Sequence, residues 1–453
     1  MALHIIDSAI FGSAWSTEKL RAIFDDVPRT RDWLEILAVL AEVEADFALI
    51  PAEAGKGVAD VCRAIAVDQR FLAEVRGGFE ASNHSLVGII NAVAQRCPSG
   101  FGEWVCYGAA VQDVTDTWMG RALMRVQALI ARDLEQIESN LLKLASEHRD
   151  TVMVGRTHGQ CGLPITFGFK VAGWAAEVRR HRDRLNRAAQ QLGVGQLCGG
   201  VGSLSALGPR ALEVQEKFCV RLGLKPPLIS WTNSRDSVVD YANLLALIGA
   251  TADRIGHEIY NLQRFEIAEV REGSSSGAVG SITMPHKRNP EISEHLGTLA
   301  RVIRHNAALL GESMVHDHER DGRSWKVEWE AVPEISAAAC RLLSLLVSVT
   351  ANLEVDAERM RRNLDATAGL VSSEALMLAL APKMGKQSAH ELVYELGLAA
   401  QRDARPFKEI VCNSQTVREH LSAQEISDLF DYRRNAGQCS ALAGRVVEEL
   451  RRR

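Results

Sequence analysis

Apolar residues recur at helical spacing over 30–50, 111–148, 167–192, 237–271, 291–311 and 334–353, with few helix breakers inside any of these runs. Thr232, Asn233, Ser234 and Asp236 precede the fourth run, and each could cap the exposed N–H groups of its first turn, so its start can shift by several residues. Gly/Pro breaks at 155–164, 193–208 and 222–227 separate the runs, and no short-period internal repeat is evident. The pattern predicts an all-α chain: a central domain of long bundled helices over 107–353, with smaller helical domains at 1–106 and 354–453.

Composition narrows the class of ligand. A chain of 453 residues can bury a large core or divide into two or three domains. With 47% hydrophobic residues and a formal charge of -5, it fits neither a disordered chain nor a strongly basic nucleic-acid surface, which leaves a small molecule as the expected ligand. The nine cysteines form no CxxC pair or tight cluster, which disfavours a disulfide framework or zinc site and points to a reducing cytoplasm. MALHIIDSAIF lacks a basic start followed by a long apolar run, and no uninterrupted apolar stretch of roughly 18 residues occurs, so neither secretion nor a membrane partner is expected.

The segment 273–290, GSSSGAVGSITMPHKRNP, joins a run of small residues to a rigid cationic turn. Glycine and serine leave the backbone free to rearrange, while the two prolines restrict it beside Lys287 and Asn289. On composition alone this is either a surface linker or a closing loop. The order of residues resembles the GSSxMPxKxNP signature of the fumarase/aspartase superfamily, matched by Gly280, Ser281, Met284, Pro285, Lys287, Asn289 and Pro290, with Ile282 in place of the second serine.

Other segments extend the resemblance. VGRTHGQCGLPITFG, at 154–168, resembles the GRTHGQ segment of adenylosuccinate lyases, which makes His158 a candidate general acid and Thr157 a substrate-binding candidate. A lone histidine is more often structural, although imidazole titrates near working pH and suits proton transfer. In families that use this histidine, a glutamate seven residues after the motif lysine orients it; that position is Glu294, which also reads as a solvated acid at a helix start. HDHERDGRSWKVEWEAVPEI, at 316–335, resembles the HER…WxxEW…PE segment of 3-carboxy-cis,cis-muconate cycloisomerases, and no complementary cluster supports a metal at His316, His318 and Glu319. Arg320 and Lys326 are candidates for binding substrate carboxylates or plain surface cations. Ser82, Asn83 and His84 lie in ASNHS, which resembles a substrate loop with Ser85 replacing the usual aspartate. YGAAVQDVTDT at 107–117, CGGVGSLSALG at 198–208 and LQRFEIAEVRE at 262–272 are softer matches.

One departure concerns the carboxylate pocket. Where the family commonly carries Thr-Ser, this chain has Ala110-Val111, so two hydroxyl donors worth roughly 0.5 to 3 kcal/mol each when buried against charge are missing. The resemblance implies that Ser281 is the base, Lys287 and Asn289 stabilise the carboxylate charge of the intermediate, and His158 with Glu294 protonates the leaving atom. No metal or organic cofactor is required. It also implies a homotetramer whose active sites each draw segments from three subunits. The expected function is a lyase that reversibly eliminates an amine from an N-substituted aspartate-like dicarboxylate to give fumarate. The alternatives are 3-carboxy-cis,cis-muconate cycloisomerisation, suggested by Trp325 and Trp329, and a structural protein with a degraded site.

Overall fold

The computed structural model describes residues 4–98, 100–273, 283–284 and 286–452. It is dominated by helices, of which Asp26–Asp46, Val111–Glu147, Phe167–Leu192, Asp236–Gln263, Glu291–Ser313 and Gly322–Ala351 are the longest among the described residues. Two small antiparallel sheets interrupt them, Val152–Thr157 with Gln160–Thr166 and Val270–Arg271 with Glu354–Val355.

The chain divides into two compact units. One takes in residues up to Asp133, His181–Ala250 and Thr298–Ser344; the other takes in Leu134–Arg180, Thr251–Gly297 and Leu345–Arg453. The unit boundaries fall inside five of the long helices.

In the first unit, Asp26–Asp46 packs on Ala52–Ala64 so tightly that a Cβ at Gly55 would lie 2.7 Å from the Ala41 carbonyl oxygen. Its core also carries polar ties. Arg235, 1% exposed, donates through Nε to Glu328 Oε1 at 2.7 Å and through its two terminal nitrogens to both oxygens of Asp116 at 2.9 and 3.2 Å, with its guanidinium 4.7 Å from the Trp231 ring. A buried charge is tolerable only when paired in this way. Burial pushes the Glu328 carboxyl above its ordinary value, against the opposing pull of Arg235.

In the second unit the helix segments are laced by Lys170–Glu258 at 2.6 Å, by Thr251 donating to Glu177 at 2.6 Å, and by Asn140 donating to Thr350 at 3.1 Å. Leu376, Leu380, Phe407, Val411, Val417 and Ile426 form the core of its C-terminal helices. A separate cluster of Val152, Val154, Leu364, Val371 and Tyr432 seats the base of the first hairpin against those helices.

The helical pattern is found with three corrections. The run 237–271 stops at Gln263: the chain turns back through Ala268, at a φ of 50°, and Glu269 N–H bonds the Leu262 carbonyl. The run 334–353 belongs to a helix that starts at Gly322 and carries Pro333 inside it. The break at 155–164 is a hairpin rather than a loop.

Candidate active site

The hairpin delivers His158. Thr157 pairs with Gln160, leaving His158 and Gly159 as the two residues of the turn, with φ of 53° and 75°. A two-residue turn of the hand that suits strand twist needs positive φ at both positions. Glycine meets this freely, whereas a histidine there sacrifices backbone comfort and projects its exposed ring from the tip. Behind the tip, Arg156 donates to both oxygens of Glu269 at 2.9 and 2.7 Å, and Asn363 donates to Glu269 at 2.8 Å. Glu269 is fully buried, so this bidentate pair fixes the strand that carries His158.

Lys287, Asn289 and Glu294 lie along one continuous stretch. Lys287 is exposed in the turn, its N–H bonding the Met284 carbonyl; Asn289 donates to Glu291 at 3.3 Å; Glu294 is exposed in the first turn of Glu291–Ser313. Glu272 anchors that turn, accepting from Ile292 N–H at 3.1 Å, Ser293 N–H at 2.7 Å and the Ser293 hydroxyl at 2.5 Å. Carboxylate on free helix N–H groups both caps the helix and complements its dipole. Gln263 accepts from Glu272 N–H at 2.8 Å and donates to the Arg288 carbonyl at 3.4 Å, tying both flanks of the glycine-serine segment to one helix end. Ser281 and Ile282 lie outside the described residues. Among the described residues His158 makes no hydrogen bond or ion pair, to Glu294 or any other group.

In the first unit three motif segments meet on Asp113. Its carboxylate accepts from Ala110 N–H at 2.8 Å, Cys198 N–H at 2.9 Å and Gly199 N–H at 3.0 Å, and Arg320 donates to the Gly199 carbonyl at 3.0 Å. Burial raises the Asp113 carboxyl above its ordinary value, and the three N–H donors oppose that shift. Asn83 closes a helix at φ 52°, Ser82 donates to the Gly78 carbonyl at 2.7 Å, and His84 and Lys326 are exposed. Trp325 and Trp329 stack edge to face, 4.9 Å between centroids.

A family model described as Lyase matches residues 13–304, and one described as Adenylosuccinate lyase C-terminus matches 369–446. N-acetyl-S-(2-succino)cysteine lyase of Enterococcus italicus is 38% identical over 447 residues, 99% of this chain and 97% of that protein. Adenylosuccinate lyase of Methanothermobacter thermautotrophicus is 34% identical over 453 residues, 99% of each. Among solved structures, the 3-carboxy-cis,cis-muconate lactonizing enzyme from Pseudomonas putida superposes with a TM-score of 0.91 at 32% identity, over 98% of this chain and 99% of that one.

The chain belongs to the fumarase/aspartase superfamily of lyases. As a lyase of the fumarate-lyase type, it carries the turn with Lys287 and Asn289 on a clamped stretch and His158 on a braced hairpin. The sequence motifs did not single out Arg156, Glu269, Glu272 or Asp113, the groups that hold those segments. Each is a charged residue inside a segment already matched, and its partners, side-chain for Arg156 and Glu269 and backbone for Glu272 and Asp113, become visible only in three dimensions.

Proposed function

We propose that this lyase catalyses reversible β-elimination from a 2-substituted succinate, releasing fumarate and a thiol, with the thioether of an N-acylated cysteine as first substrate. The supporting observation is His158 at its left-handed hairpin tip, since an exposed proton donor on a braced turn suits protonation of a departing atom. The 38% likeness, nearly end to end, to an N-acetyl-S-(2-succino)cysteine lyase favours sulfur as that atom. An amine leaving group is the second reading, favoured by the 34% likeness to adenylosuccinate lyase, although the resemblance puts Lys326 and Trp329 where adenylosuccinate lyases tend to carry a serine and an arginine.

In this reading Ser281 removes a proton from the carbon next to the one bearing sulfur. The electron pair moves into the adjacent carboxylate, whose extra charge Lys287 and Asn289 stabilise. Collapse of that dianion breaks the carbon–sulfur bond, the pair leaves on sulfur, and His158, oriented by Glu294, supplies the proton. Arg320, Lys326, Thr157 and the Ser82, Asn83, His84 segment bind the carboxylates. Ala110 and Val111 lack hydroxyls, so neither side chain at that point can hold a carboxylate, and the Ala110 N–H is taken by Asp113. We place the reaction in a cytoplasmic homotetramer whose sites draw segments from more than one copy.

The test follows fumarate release from synthetic S-(2-succinyl)-N-acetylcysteine and from N-alkylated aspartates, and separately the conversion of 3-carboxy-cis,cis-muconate to its lactone. Fumarate from the thioether supports the reading. Fumarate from the aspartates alone replaces sulfur with nitrogen, turnover of the muconate alone selects the cycloisomerase, and silence on all three overturns the proposed leaving groups and leaves another substrate or a degraded site.

A further inference from the structure

The first unit carries a cavity of about 310 Å³, inside the range of small-molecule sites. Its walls come from the helices Asp26–Asp46, Gln69–Ser82, Val111–Glu147 and Gly322–Ala351, together with Ser85. Trp33, Trp118, Trp325 and Trp329 all line it, so four indole rings contribute to its wall.

Its polar groups are unbalanced. The indole N–H of Trp33, the indole N–H of Trp118 and the Nε–H of Arg29 are buried with no partner among the described residues, and Trp118 itself is only 5% exposed. All three are donors. The two carboxylates on the wall bond elsewhere: Asp116 holds Arg235 with both oxygens, and Asp26 holds a terminal nitrogen of Arg29 rather than its Nε. Leaving three buried donors unmade is costly, and an acceptor oxygen from a ligand would repair it.

An aromatic box can also attract a cation. Here that position is taken, because the Arg29 guanidinium sits 5.4 Å from the Trp33 ring and 5.9 Å from the Trp118 ring. Arg29 and Arg76 are matched on the wall by Asp26 and Asp116, so the unpaired donors rather than net charge select an acceptor as the ligand.

We propose that this cavity binds a planar apolar group bearing a carboxylate or carbonyl oxygen, and that it is the subsite for the group that departs when fumarate forms. The second half of this statement rests on the elimination reading above. It follows from the lining, which includes Ser85 of the ASNHS segment and both tryptophans of the WxxEW segment. A departing group of this kind is an acyl- or aryl-bearing acid rather than a polyamine or a sugar phosphate.

The test uses the full-length protein and calorimetric titration with benzoate and with benzyltrimethylammonium. Benzoate is expected to bind and the ammonium not. Trp118→Phe, which keeps a ring and deletes the N–H, is expected to weaken benzoate about 10-fold. Trp329→Ala, at a position 39% exposed, is expected to weaken it too, with thermal unfolding run alongside to check that the variant folds. Ser281→Ala should bind benzoate as the parent does, so the binding arm stands whether or not the elimination reading survives. Preferred binding of the ammonium, or benzoate affinity unchanged in both tryptophan variants, overturns the pocket assignment. Benzoate that binds without competing against any substrate turned over overturns its role as the departing group's subsite.

Discussion

His158 holds a backbone conformation that costs a non-glycine residue about 1 kcal/mol or more, at the tip of a turn whose other residue is already glycine. Asparagine accepts the same φ more readily and carries no titrating ring. His158→Asn is therefore expected to leave the hairpin and the melting temperature intact while lowering kcat by roughly 100- to 10,000-fold, read by fumarate release alongside thermal unfolding. Glu44 is a second residue out of balance. It is fully buried, neither carboxylate oxygen has a partner among the described residues, and burial pushes it up to about 9 from 4.5. The folded chain then holds a proton that the unfolded chain releases, so this group's contribution is complete below pH 4.5 and is lost as pH rises toward 9. Chemical denaturation should show stability falling by about 1.4 kcal/mol per pH unit inside that window from this group, and Glu44→Gln should flatten that slope. A slope unchanged in the variant would refute the assignment.

At the scale of elements, the Arg156–Glu269 pair couples the His158 hairpin to the segment entering the glycine-serine run. Arg156→Met leaves the Glu269 carboxylate buried with Asn363 as its remaining side-chain donor, and is expected to cost about 3 kcal/mol and to speed hydrogen exchange at Val152–Thr157. Exchange unchanged there would show that the strand is held by its apolar base alone. Helices were legible because their apolar faces repeat locally. The hairpin was not, since Val152, Met153 and Val154 are all buried and show no alternation, while Gly155, Gly159, Gly162 and Pro164 read as loop. Val270–Arg271 pairs with Glu354–Val355, more than eighty residues away, and no local pattern carries that information. Pro333 misled in the opposite direction, because a helix boundary is expected at proline. The true start lies at Gly322 beside Asp321, whose carboxylate accepts from Arg323 N–H at 2.8 Å and is held down to about 2 by that backbone donor first.

Across the whole molecule, His158, Lys287, Asn289 and Glu294 fall in the second compact unit, whereas Ser82, Asn83, His84, Arg320 and Lys326, proposed to bind carboxylates, fall in the first, and His158 makes no hydrogen bond among the described residues. Their chemical identities were legible from motif order alone. The carboxylates that fix them were not, because Glu272 and Asp113 act on backbone N–H groups brought close only by folding. If sites are shared between copies, mixing Ser281→Ala with His158→Asn protein under conditions that exchange subunits should restore turnover that neither parent has. Failure to complement in demonstrably mixed oligomers would confine each site to one chain. The most direct measurement of the central claim is the reverse reaction: fumarate and N-acetylcysteine incubated with the protein in deuterated water, with products resolved by mass spectrometry. The account expects a thiosuccinate adduct carrying a single carbon-bound deuterium, formed by the parent protein and absent with Ser281→Ala. No adduct with this thiol or with amines, or an adduct formed equally by Ser281→Ala, would contradict it.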